Sequence, residues 1–242
     1  MICRVAERAK GVSNVDRVIV ATDSQQIIDA VTASGFEAIL TATTHASGTD
    51  RLAEVVHSIP EAQIIVNLQG DEPLISPQTI ERAVERMKAE INLSDGAGIV
   101  TTWEPIESFE DLTNRDVVKV VVGERDQAIY FSRLPVPFPR EAVARHGSPD
   151  VAFLSEPDLI GRYRKHTGLY VYRRDVLLDF ASWPQTALEK FEALEQLRAL
   201  EHGVTIRVIE ASSPSIGVDT PADLERVREL IIEGTFVVST VR

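Results

Sequence analysis

Three loops and one basic stretch hold the side chains that can do chemistry. The run Asn67-Leu68-Gln69-Gly70-Asp71-Glu72-Pro73 sets two carboxylates directly behind the apolar stretch Gln63-Ile64-Ile65-Val66. Asp71 is a hard oxygen donor of the kind Mg²⁺ takes, since that ion is usually held by one or two carboxylates plus substrate phosphates. Gly70 permits close backbone approach, and Pro73 stops a strand from continuing. By itself the loop reads equally as a metal site or as a polar turn. The second loop, His45-Ala46-Ser47-Gly48-Thr49-Asp50-Arg51, offers N–H groups and hydroxyls at the positive end of a helix. That suits a nucleotide, but plain capping by Ser47 or Thr49 explains it as well. The third, Gly217-Val218-Asp219-Thr220-Pro221, opens a helix and carries Asp219, which can share a metal only if its loop meets that of Asp71. Finally, Arg162, Arg164, Lys165, Arg173 and Arg174 fall in residues 162–174 without any acid. Such a run is either a solvated face or a site for a small anion, because arginine forks match carboxylates. The other four histidines lack zinc-like spacing and no Cys–His pair exists, which argues against transition-metal catalysis.

The elements that must position these loops alternate. Residues 2–10 have helical spacing up to Gly11, so the chain opens in a helix, and they lack the apolar core of a secretory signal. Arg17 to Ala21 is a short strand, Ile27 to Val31 a helix stopped by Gly35, and Glu37 to Leu40 a strand. A helix over Arg51–Val56 precedes the strand Gln63–Asn67, and Ser76-Pro77 opens the helix of Ile80, Val84 and Met87. This order predicts parallel strands with right-handed crossovers and ligands beyond their carboxyl ends. The rhythm then changes. Val117–Val122 and Ala128–Phe131 predict an antiparallel hairpin, and 134–160, with five prolines, predicts a long functional or mobile loop. A strand at Gly168–Tyr172, a helix from Leu188 to Leu200, a strand at Val204–Ile209 and a helix after Pro221 complete the reading.

Composition narrows the function classes. The 242 residues carry 25 Lys+Arg against 37 Asp+Glu, a net charge of −12, which disfavours nucleic acid as a partner. An apolar content of 44% excludes disorder, and no uncharged apolar run reaches the ~20 residues of a membrane span. One cysteine, Cys3, forms no internal disulfide and suits a cytoplasmic location.

Taken together, the loops resemble those of the 3-deoxy-manno-octulosonate cytidylyltransferases. The signature Asn67–Pro73 is accompanied, in order, by Val20-Ala21-Thr22-Asp23, His45–Arg51, Val118-Lys119-Val120-Val121, Phe131-Ser132-Arg133, Lys165-His166, Gly168-Leu169-Tyr170, Leu194-Glu195-Gln196-Leu197-Arg198 and Gly217–Pro221. The resemblance implies an α/β, three-layer nucleotide-diphospho-sugar-transferase (Rossmann-like) fold with a mostly parallel sheet. It implies one cytidylyltransferase domain over 1–242, with a smaller β-rich dimerisation lobe inserted at roughly 115–185, and a homodimer. It further implies that CTP and 3-deoxy-D-manno-octulosonate (Kdo) give CMP-Kdo and pyrophosphate with Mg²⁺, a step of lipopolysaccharide biosynthesis. On this likeness Ser47, Gly48, Thr49, Arg51 and Gln69 contact the nucleotide, and Asp71 and Asp219 hold the metal as the catalytic pair. Arg133, His166, Tyr170, Glu195 and Gln196 form the sugar pocket, their positive members meeting the sugar carboxylate.

One departure accompanies the likeness. The family opens with a central strand and a loop of the form Pro-Ala-Arg-x-x-Ser-x-Arg-x-x-x-Lys that wraps the triphosphate, and residues 1–16 do not match it. Arg4, Arg8 and Lys10 fall on the helix that follows that loop in the family. The expectation is a chain shortened at its start, an exposed sheet interior, and little pyrophosphate release by residues 1–242 alone. Two other readings stand beside this one: cytidylyl transfer to another acidic sugar of sialic-acid type, and a remnant that only dimerises or binds ligand.

Overall fold

The computed structural model describes residues 1–45, 47–218 and 220–232. Helix α1 (Ile2–Lys10) buries Val5, Ala6 and Ala9, and a βαβ unit follows: β1 (Ile19–Thr22), α2 (Gln25–Ala33) and β2 (Glu37–Leu40). Next come α3 (Gly48–His57), β3 (Ile64–Asn67), α4 (Pro77–Glu90), β4 (Ile99–Pro105), α5 (Phe109–Thr113), β5 (Lys119–Val122) and β6 (Ala128–Ser132). The remainder is α6 (Arg140–His146), α7 (Pro149–Ser155), β7 (Arg164–Arg173), α8 (Arg174–Ser182), α9 (Ala187–Glu192), α10 (Gln196–Glu201), β8 (Ile206–Glu210) and α11 (Pro221–Ile232).

β7 is the spine of a six-stranded sheet. One of its edges pairs with β4 along nearly its whole length; the other pairs with β3 over Tyr170–Arg173 and touches β5 at Lys165. β3, β4 and β8 therefore run the same way, with β7 antiparallel between β3 and β4. Strand alternation sorts the core. Ile99 and Tyr172 point to a cluster built with α3, α8 and α10, while Val100 and Val171 point to α4 through Ile80, Val84 and Met87. These layers are the three-layer α/β architecture that the alternating order predicts.

Local rules account for most of the boundaries, and for two departures from the periodicity. The predicted loop 134–160 contains α6, α7 and a 3₁₀ turn over Pro157–Arg162. Gly147, at φ 86°, ends α6, and Ser148 caps α7 with Pro149 in its first turn, so the prolines punctuate short helices. Phe153, Ile160 and Tyr163 then bury a separate small core with Ile106 and Leu112. The helix predicted from Leu188 to Leu200 is broken into α9 and α10 at Ala193, whose φ is 53°. Strand β4 and helices α5 and α8 lie in stretches where periodicity alone drew no element.

β1 and β2 form a parallel pair of their own. Among the described residues neither β1 nor β3 has a second strand partner. Two cavities of about 710 and 600 Å³ lie between them; Ile19, Ala21, Leu52 and Val66 line both. The backbone groups on the facing edges of β1 and β3 thus lie outside a ladder among the described residues.

Candidate active site

The site begins at an irregularity in β7. Thr101 of β4 stands opposite Tyr170 and Thr102 opposite Thr167, so Gly168 and Leu169 bulge out of the ladder. A Cβ on Gly168 would lie 3.2 Å from Glu72 Oε1 and 3.3 Å from Gln69 Cγ, so a larger residue would push the side chains of the Asp71 loop back by a few tenths of an ångström. The bulge brings the rings of His166 and Tyr170 to 5.3 Å, with Phe131 edge-on to His166 and Tyr172 stacked on Tyr170. The Thr101 hydroxyl donates to the Leu169 carbonyl at 2.7 Å, so its oxygen accepts from His166 Nε2–H at 2.9 Å. That network assigns the ring proton to Nε2.

Burial lowers the His166 pKa to about 3. The neutral imidazole therefore contributes stability above the unfolded-state value of about 6.5, and that contribution is lost as the pH falls from there toward 3. Melting curves between pH 7 and 5 are expected to show a loss of up to about 1.4 kcal/mol per pH unit below 6.5 that His166→Gln lacks. Identical slopes in the two proteins would contradict a buried neutral ring.

The second part joins the start of α3 to α10. Ser47 caps α3, its Oγ accepting from Asp50 N at 3.2 Å while donating to Glu195 Oε1 at 3.0 Å. Thr49, almost wholly buried, donates to the other Glu195 oxygen at 3.2 Å. Burial pushes the Glu195 carboxyl up, and these two hydroxyls oppose the shift. Gln196 is buried beside it in the first turn of α10. Beneath them Arg198 and Glu189 form a buried two-pronged pair at 2.5 and 2.8 Å. Arg51 reaches back from α3 to Thr41 at 2.6 Å and to Asp23 at 2.9 Å.

The third part is the loop behind β3. Gln69, Gly70 and Asp71 line the 710 Å³ cavity together with Gly48 and Arg51 of α3. Whether the loop of Asp219 meets that of Asp71 is answered next door: Val218 N donates to the Asp71 carbonyl at 2.9 Å. Asp219 itself lies outside the described residues. Among the described residues no group of three or more His, Cys, Asp or Glu side chains could hold a metal. A half-exposed carboxylate on a cavity wall fits Mg²⁺, which takes few protein ligands and completes its shell with phosphate and water. Glu72, Glu104, Lys165 and Ser215, joined by hydrogen bonds behind Asp71, were not singled out as a group from the sequence. Their grouping had no local signal, because Ser215 lies 111 residues from Glu104 and 143 from Glu72.

Two expectations are corrected. The basic stretch is not a patch. Arg164 stacks over Trp103, Lys165 pairs with Glu104, Arg173 with Asp175, and Arg174 donates to the Val56 carbonyl. Arg164 and Lys165 leave β7 on opposite faces and Arg174 starts α8, so these side chains reach separate partners. Burial also lowers the His166 pKa to about 3, which disfavours the positive form that the resemblance implies for it. Arg133 is anchored instead of free: its guanidinium donates to the carbonyls of Glu192 at 2.9 Å, Arg115 at 3.0 Å and Ala193 at 3.2 Å, and its Nη1 lies 4.0 Å from the Asp116 carboxylate. Fully buried Lys119 braces the same corner, donating to the carbonyls of Asn114, Val117 and Arg133.

Comparison with known proteins is consistent across sequence and structure. The cytidylyltransferase family model matches residues 1–206. A 3-deoxy-manno-octulosonate cytidylyltransferase of Syntrophotalea carbinolica is 48% identical over 94% of this chain and 86% of its own length. One from Escherichia coli is 43% identical over 96% of this chain and 86% of its own. A solved CMP:2-keto-3-deoxy-manno-octonic acid synthetase complexed with CTP superposes with a TM-score of 0.83 at 42% identity, over 96% of this chain and 87% of that one. The 4-diphosphocytidyl-2C-methyl-D-erythritol synthase of Anaerococcus prevotii, at a TM-score of 0.57 and 9% identity, shares the fold alone.

Proposed function

This chain belongs to the 3-deoxy-manno-octulosonate cytidylyltransferase family, and from that premise we propose how its residues divide the work. The reaction joins CTP to Kdo. The anomeric hydroxyl of the sugar attacks the α-phosphorus and loses its proton, the bond to the β-phosphate oxygen breaks, and CMP-Kdo and pyrophosphate result. Such a displacement needs in-line positioning and charge neutralisation more than it needs a protein nucleophile. Ser47, Gly48, Thr49, Arg51 and Gln69 hold the nucleotide on the α3 side of the cavity. His166 and Tyr170 form the apolar, hydrogen-bonding floor for the sugar, flanked by Glu195 and Gln196, and Arg133 serves its carboxylate. Asp71 and Asp219 hold Mg²⁺. When bound, that ion offsets the charge on the phosphates and the leaving pyrophosphate.

One observation carries the reading. The Asp71 loop, the start of α3 and the β7 bulge meet: Gly168 touches Glu72 and Gln69, and Asp71 shares a cavity with Gly48 and Arg51. Of the basic side chains lining that cavity, Arg17 pairs with Glu37, and Arg51 pairs with Asp23, a partly exposed pair that must open before Arg51 serves the nucleotide. Turnover by residues 1–242 is therefore expected to be slow. Pyrophosphate release measured with Kdo, sialic acid and a neutral sugar tests the assignment. Release should be selective for Kdo, and equal rates with sialic acid would move the substrate to another acidic sugar.

The same reading makes the protein a cytoplasmic homodimer. Support for a dimer comes from apolar side chains left in solvent around β6 and α9, namely Ile129, Leu134, Phe138 and Phe191, the last 91% exposed. Sedimentation equilibrium of the same preparation checks it, a monomer at micromolar concentration counting against the dimer. Among the described residues no helix is long and apolar enough to cross a membrane.

A further inference from the structure

Behind the Asp71 loop four polar side chains from four separate segments form one chain of hydrogen bonds. Lys165 Nζ of β7 pairs with Glu104 Oε2 at the end of β4, 2.8 Å away. The other oxygen of Glu104 accepts from Ser215 N at 2.9 Å, and Ser215 Oγ donates to Glu72 Oε2 at 2.6 Å. Three residues beyond Ser215, Val218 N holds the carbonyl of Asp71 at 2.9 Å. Glu104 is 3% exposed, so this charge is desolvated and needs all its partners.

From this we infer that Glu72 and Ser215 form a clasp that positions the Asp71 carboxylate for its cation, with Glu104 and Lys165 as its anchor on the sheet. The inference rests on the proposed reading of Asp71. Its logic is geometric. Asp71 sits in a turn between a four-residue strand and a proline, and its own carboxylate has no protein hydrogen bond among the described residues to orient it. The turn is held from outside, at Glu72 through its side chain and at Asp71 through its carbonyl, and both holds come from the single segment 215–218. That segment is in turn pinned to β4 through Glu104, and β4 is paired with the strand that carries His166. Lys165 directly precedes His166, so the clasp ties the cation-binding carboxylate to the floor of the sugar pocket. Glu72 also abuts Gly168, the residue at which β7 bulges. Glu72 is thus a positioning residue, acting through Asp71 and not as a ligand.

The test measures Mn²⁺ binding to the full chain with CTP present, by electron paramagnetic resonance of free Mn²⁺, alongside thermal melting. Ser215→Ala and Glu72→Ala each remove a hydrogen bond to a charged group, and about a tenfold weaker Mn²⁺ affinity is expected with the melting point nearly unchanged. Ser215→Thr keeps the hydroxyl and should restore wild-type affinity. Glu72→Gln keeps an acceptor for Ser215, so its affinity should stay within about twofold of wild type. If Glu72→Gln is as damaging as Glu72→Ala, Glu72 is itself a metal ligand and the clasp is overturned. Wild-type affinity in both alanine variants overturns it as well, while leaving the role of Asp71 intact. A parent chain that binds no Mn²⁺ with CTP sinks the reading of Asp71 and the clasp with it.

Discussion

Arg198→Met is expected to cost about 3–5 kcal/mol of folding stability, the usual consequence of leaving one member of a buried ion pair without its partner. Glu189 is 4% and Arg198 5% exposed, and two short hydrogen bonds join them. Glu189 does more than pair: its carboxylate accepts from Thr186 N at 3.1 Å, completing the capping box that starts α9. Arg198 also donates to the Phe180 carbonyl at 3.3 Å and lies over the Phe180 ring. Methionine fills a similar volume but leaves a desolvated carboxylate behind. For a chain of this size the loss corresponds to a melting point lower by about 10 °C. The expected recovery in Glu189→Met/Arg198→Met separates this cause from poor packing, because removing both charges removes the desolvation penalty. A double variant as unstable as the single one would assign the cost to shape. The site should feel the change too. Arg198 lies one helical turn beyond Glu195, 4.0 Å from its carboxylate, and Glu195 is the acceptor that gathers Ser47 and Thr49.

Asp71→Asn is expected to lower Mg²⁺-dependent pyrophosphate release by about 10³-fold, as the loss of several kcal/mol of charge stabilisation implies. Asparagine has nearly the same shape, and the hydrogen bond from Val218 to the main chain at 71 survives the substitution. What is lost is a formal negative charge and a hard oxygen donor, the features that suit Mg²⁺. Since turnover by this chain is expected to be slow, the measurement belongs under single-turnover conditions with enzyme in excess of CTP. The signature is a fall in rate and a raised Mg²⁺ requirement with an unchanged melting curve. An unaltered rate and Mg²⁺ midpoint would remove Asp71 from the site, whereas a lowered melting point would make it a structural residue.

These two substitutions mark where sequence reading reaches and where it stops. The Asp71 loop was legible as a turn behind a strand because its surroundings are local: an apolar strand before it, glycine beside it, and a proline that ends the strand. The caps at Ser47 and Thr220 were legible for the same reason, since a helix start is set by residues within four positions of one another. Glu189–Arg198 was not legible as a buried pair, although nine residues separate the partners, because the break at Ala193 turns two short helices toward each other. The basic stretch 162–174 stayed open between a solvated face and an anion site for a related reason. Its charges are adjacent in the chain but end on Trp103, Glu104, Asp175 and the Val56 carbonyl.

By itself, then, the sequence determined the alternating α/β order, the family and the positions of the three loops. All of these follow from periodicity, caps and short motifs, which are properties of neighbouring residues. Tertiary structure alone decided that β7 serves both halves of its sheet, that a two-residue bulge sets His166 against Tyr170, and that His166 is neutral. It alone joined segment 215–218 to the Asp71 loop. Burial and hydrogen bonding across more than 60 residues set charge states and orientations, and no spacing along the chain encodes which distant groups will be left without water.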